Sequence, residues 1–151
     1  MNETKAKALI EKELQYAYKK HPDDHESLQM SEGIIILEIV ELIEAIVKYQ
    51  KVTEARHPPY ASVVTVAYQA MTTECAQVIA CCYRLLKQWF PLEHYTIRET
   101  AMRREPPKHP YSYLAFLYWF QGRPGDKSAN SGIYTLMNHC YTLLLNVERK
   151  G

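Results

Sequence analysis

With 151 residues the chain has the length of one globular domain and little room for a second, so residues 1–151 are read as a single domain. Hydrophobic residues make up 47% and charged residues 23%, enough apolar material for a sizeable core, which excludes a disordered chain. Lys and Arg number 18 against 17 Asp and Glu, so no one-signed field draws the whole molecule to nucleic acid or anionic lipid.

Glycine is scarce, 5 in all, which argues against an all-β fold and against a glycine-rich phosphate loop. Neither GxGxxG nor GxxxxGK[ST] occurs. Residues 1–10 have no apolar signal-peptide segment, and the longest apolar stretch, 113–120, is well short of the roughly 18 residues that span a bilayer. A soluble, cytoplasmic protein without membrane or nucleic-acid partners is expected. Cys75, Cys81, Cys82 and Cys140 form no CxxC pair, and they read as small buried hydrophobes in a reducing compartment.

Proline divides the chain into helical blocks, because it lacks an N–H and its ring clashes with the preceding turn. The pattern predicts a first helix over 4–21, stopped by Pro22, with Leu9, Ile10, Leu14 and Ala17 on its apolar side. Asp23, Asp24 and Ser27 are candidate N-caps for a second helix over 26–55. A third follows His57-Pro58-Pro59 and runs to residue 90. Helices of nearly 30 residues are about 45 Å long, which implies a bundle. Residues 91–110, with four prolines, read as an irregular connection holding one short helix over 97–104. Two shorter helices are predicted over 112–121 and from Ser131 to about 147, separated by a polar loop at 123–130. The expected fold is therefore an all-α helical bundle with two long antiparallel helices and a C-terminal helical extension.

In the second helix the run Leu37-Glu38-Ile39-Val40-Glu41-Leu42-Ile43-Glu44 places three glutamates along one stripe, bordered by aliphatic residues on both edges. If another helix covers that stripe, the carboxylates lose water and repel one another, which calls for a compensating cation. The third helix carries Glu74-Cys75-Ala76-Gln77 on a stripe that continues to Cys81, Arg84 and Gln88. Antiparallel packing would bring Glu38 and Glu41 opposite Glu74 and Gln77, four oxygen-bearing side chains that suit Mg²⁺. Lys48 and Arg84 share these stripes and are candidate phosphate contacts. Read blandly, ExxE is what any amphipathic helix shows to water.

These residues resemble the MazG-like all-α nucleoside-triphosphate pyrophosphohydrolases. The segment 37–46 is similar to the family's first acidic motif, including Leu42, Ala45 and Ile46, and 74–80 to its second, with 25–33 as the lead-in. Leu37 stands where many members have Glu, and Gln77 where the second motif has Asp. The resemblance covers about 5–90 and leaves 91–151, the loop and C-terminal extension, without a counterpart. It implies Mg²⁺-dependent hydrolysis of a nucleoside triphosphate to a monophosphate and pyrophosphate, with Glu38, Glu41 and Glu74 as catalytic metal ligands and Gln77 a weaker, neutral one. A homodimer or higher homo-oligomer is expected from helices apolar on most sides. The alternative is a catalytically degenerate relative that serves as a nucleotide-sensing or protein-interaction module.

The aromatic run at 111–120 reads as packing or a subunit interface more readily than as a base-stacking platform. His94, His109 and His139 lack ExxH and HxxxH spacing, His21 and His25 fall in a predicted turn around Pro22 where polar residues need no ligand role, and no GxSxG occurs. The basic segment from Arg103 to Lys108 is the weak candidate for nucleic-acid contact.

Overall fold

A computed structural model describes residues 1–55, 60–89 and 127–147. They form four helices and, among the described residues, no strand: α1 (Glu3–Lys20), α2 (Leu28–Thr53), α3 (Ala61–Trp89) and α4 (Lys127–Asn146). The helices predicted over 97–104 and 112–121, the aromatic run and the Arg103–Lys108 segment lie outside the described residues.

Local chemistry sets the ends. The Asn2 side chain accepts from the Lys5 amide at the start of α1, with Glu3 in the first turn and Lys19 and Lys20 in the last, the polarity that the helix dipole favours. Pro22 bars the helical region to His21, whose N–H still closes the last turn on the Ala17 carbonyl. Of the three candidate caps before α2, Ser27 holds the position: its hydroxyl accepts from the Met30 amide at 3.0 Å, so the helix starts at Leu28 rather than at 26. Ser27→Ala is expected to cost about 1 kcal/mol, measurable as a lowered urea midpoint at unchanged slope. At the other end of the chain the helix starts at Lys127, four residues before the Ser131 start predicted from sequence. The breakers there are Pro124 and Gly125, while Lys127-Ser-Ala-Asn-Ser131 contains nothing that forbids a helix, so the polar loop reading of 127–130 is corrected.

Cross-helix pairs give the directions. Trp89 meets Ser31 and Tyr68 meets Tyr49, so α3 runs antiparallel to α2. Glu13 meets Gln77 while Ala17 meets Arg84, so α1 runs parallel to α3. The Met1 ammonium donates to the Leu145 carbonyl, setting α4 antiparallel to α1. Among the described residues α3 packs against each of the other three, and α1 and α2 pack on α3 without packing on each other.

One core runs through the bundle, with Ile35, Ile39 and Leu42 of α2, Val78, Ile79 and Leu86 of α3, and Leu136, Met137 and Leu144 of α4. The C-terminal helix thus completes the core against α3. Cys75, Cys82 and Cys140 are buried within it as free thiols, Cys75 donating to the Cys140 carbonyl. Burial pushes the Cys75 and Cys82 thiols well up. No described helix is long and apolar enough to cross a membrane.

Candidate metal centre

Because α1 and α2 stand apart on the surface of α3, a cavity of about 900 Å³ opens between them. Glu13, Tyr16 and Lys20 of α1 line one side and Ile34, Glu38 and Glu41 of α2 the other. The floor is the α3 stripe of Glu74, Gln77, Cys81 and Arg84, joined by Ala80, and the 21–26 connection closes one end. Small residues make the room, since Ala17 and Ala80 stand where longer side chains would fill the gap.

Glu38, Glu41 and Glu74 converge here: one carboxylate oxygen of each lies within 4.8 Å of the others. Glu38 and Glu74 are half-buried and Glu41 is exposed at the mouth. The Glu38 Oε2 and Glu74 Oε2 atoms are fully buried and have no hydrogen-bond partner. Burial pushes the Glu74 carboxyl up from 4.5 to about 7, helped by the charges of Glu41 and Glu38 and a hydrogen bond shared with Glu41. Glu38 is raised for the same reasons, burial first and then Glu41 and Glu13, with Lys20 opposing. The trio can coordinate a cation, which would satisfy the two orphaned oxygens and relieve the repulsion.

The third glutamate of the stripe, Glu44, is exposed outside the cavity. Each step of three residues turns the side chain by −60°, so Glu44 sits about 120° round the helix from Glu38. Gln77 lines the cavity, and its amide N–H donates to Glu13 at 3.2 Å, tying α3 to α1. Lys48 is exposed and does not line the cavity, lying about 10 Å along α2 from Glu41. Arg84 does line it, but its terminal nitrogens donate to the carbonyls of Ala17, His21 and Asp23, which makes it a cation capping the C-terminus of α1.

Glu13 is the carboxylate that the sequence reading missed, and its charge reaches both Glu38 and Glu74. The signal for it is position: three residues after buried Ile10 and four before Ala17, it falls on the packed side of α1. At the closed end, Trp89 donates to Ser31 Oγ, which pairs with His25 Nδ1 at 2.6 Å, and Gln88 grips both the N–H and the carbonyl of His25. Burial, and then the Arg84 charge, hold the His25 ring below its ordinary pKa. No family model, curated protein or solved structure matches this chain, so its function is read from the site itself.

Proposed function

We propose that the protein hydrolyses a nucleoside triphosphate between its α and β phosphates, water adding across the P–O–P bond to give a monophosphate and pyrophosphate, with Mg²⁺ as cofactor. The observation that carries this reading is the convergence of Glu38, Glu41 and Glu74 from two helices, with two buried oxygens left unpaired, at the edge of a cavity large enough for a nucleotide. All three donors are hard carboxylate oxygens, the donor set that Mg²⁺ prefers while it keeps positions open for substrate phosphate. When bound, the ion would neutralise phosphate charge and lower the pKa of the attacking water. Glu38, Glu41 and Glu74 hold it, Glu13 adds negative charge from the facing helix, and Lys20 is the flexible cation along the wall. The resemblance to MazG-like pyrophosphohydrolases supports the same reaction. Leu37 and Val40, 65% and 38% exposed on the outer side of α2, are the surface we assign to a second copy of the chain.

Purified protein with Mg²⁺ and a panel of nucleoside triphosphates is expected to release pyrophosphate, and Glu38→Gln to lose that release. The Gln77–Glu13 hydrogen bond favours a second reading, a nucleotide-sensing or protein-interaction module that has kept the fold and lost turnover. That reading wins if the natural protein turns over no nucleotide and Gln77→Asp creates activity.

A further inference from the structure

Among the described helices α2 packs on α3 alone, which leaves its opposite side uncovered. That side carries Leu37, Glu41, Glu44, Lys48 and Lys51, all of them exposed. Steps of four, three, four and three residues keep the five within about 80° of arc, so they form one stripe, about 21 Å long. Val40 borders it, 38% exposed, beside Leu37 at 65%. Glu44 and Lys48 stand four apart in the order that favours an ion pair within a helix, yet among the described residues Glu44, Lys48 and Lys51 close none; the pair that does close at this spacing is Lys7–Glu3 on α1, at 3.8 Å.

The order of charges along the stripe is self-complementary. Acid, acid, base, base at 41, 44, 48 and 51 is symmetric in position and opposite in sign about position 46. When a second α2 is turned end for end about that point, Glu44 meets Lys48 of the second copy and Glu41 meets Lys51, and each contact occurs twice because two-fold pairing is reciprocal. Sliding the pair by two turns in one direction sets Glu41 against Glu44, and in the other Lys48 against Lys51, while a parallel pair in register sets every charge against its own kind. Like charges oppose all three arrangements. Exposed ion pairs are individually weak, so their work here is to choose direction and register, while apolar contact comes from the flanks, where Val40 falls opposite Val52 and Leu37 opposite Ala55 of the second copy.

We propose that α2 docks antiparallel on the α2 of a second copy of the chain, about a two-fold axis beside position 46, with Glu44 paired to Lys48 and Glu41 to Lys51 across it. This docking rests on the assignment of Leu37 and Val40 to a second copy, to which it gives direction and register, and it is independent of hydrolysis. It also brings Lys51 of each copy beside Glu41 at the mouth of the other copy's cation site.

The test is sedimentation equilibrium of the full chain without metal or nucleotide. The natural protein is expected to form a reversible dimer. Glu44→Lys and Lys48→Glu, each alone, turn two attractive contacts into repulsive ones and should weaken self-association at least about tenfold. An equimolar mixture of the two variants should recover the natural affinity as a dimer holding one chain of each, identified by native mass spectrometry with one chain ¹⁵N-labelled. Glu44→Lys with Lys48→Glu in the same chain restores the pattern with its signs exchanged, and that double variant should dimerise on its own. Both positions are exposed, so all three variants should keep the natural far-UV circular dichroism. A natural protein that stays monomeric overturns the second-copy assignment and this docking with it. A dimer indifferent to both reversals, or single variants that stay apart when mixed, overturns the antiparallel register alone.

Discussion

Replacing Glu74 with glutamine is expected to stabilise the cation-free protein at pH 8 while removing its response to Mg²⁺, two effects of opposite sign from one side chain. The Glu74 carboxyl titrates at about 7 in the folded chain against 4.5 for an unperturbed Glu, because burial and then Glu41 and Glu38 disfavour its charge. Between those values the native state holds a proton that the unfolded chain has released. Its contribution to stability is therefore fully present below 4.5, falls as pH rises through the window to about 7, and stays lost above it. Because the group is partly exposed, screening reduces the penalty to roughly 1 kcal/mol, or about 2–4 °C in melting temperature. Glu74→Gln deletes that penalty, so it should melt higher than the natural protein at pH 8 and alike at pH 4.5. A cation must displace the same proton, so Mg²⁺ should raise the melting temperature of the natural protein more at pH 8 than at pH 6, and that of Glu74→Gln at neither. Pyrophosphate release should fall by about two to three orders of magnitude, the scale on which loss of one preorganised charge contact lowers turnover. A variant that melts no higher at pH 8, or that keeps its Mg²⁺ shift, removes Glu74 from the site.

The long helices were legible because Pro22, the His57-Pro58-Pro59 segment and the aliphatic periodicity mark them in one dimension. The stripe arithmetic also carried Glu38, Glu41, Glu74, Gln77 and Arg84 to one cavity, since residues three, four and seven apart share a face whatever the partner helix is. What periodicity could not supply is which helix stands opposite. Glu13 escaped notice because its role depends on α1 lying parallel to α3 and apart from α2, a tertiary fact with no local signature. Arg84 was placed correctly on the stripe, but its partners are backbone carbonyls at the end of α1, and no spacing rule names a carbonyl. Lys48 shows the complementary failure: a shared stripe fixes direction but not height along the helix, and seven residues carry it beyond the cavity.

The same geometry predicts that two aliphatic residues of α2, two positions apart, behave in opposite ways on truncation. Ile39 is fully buried on the face that packs against α3, whereas Leu37 is 65% exposed, the two being set about 200° apart around the helix. Ile39→Ala removes three buried carbons from a core that relaxes only in part, and it should cost about 2–5 kcal/mol in urea unfolding. Leu37→Ala should stay within about 0.5 kcal/mol for an isolated chain. The proposed second copy changes the second expectation alone. If Leu37 and Val40 are covered in a dimer, Leu37→Ala lowers stability in a manner that depends on protein concentration, and Leu37→Asp shifts sedimentation toward the monomer. Concentration-independent unfolding of the natural protein, with both Leu37 variants as stable as it is, would leave α2 facing solvent there and confine the role of its packed side to holding Glu38 and Glu41 over Glu74.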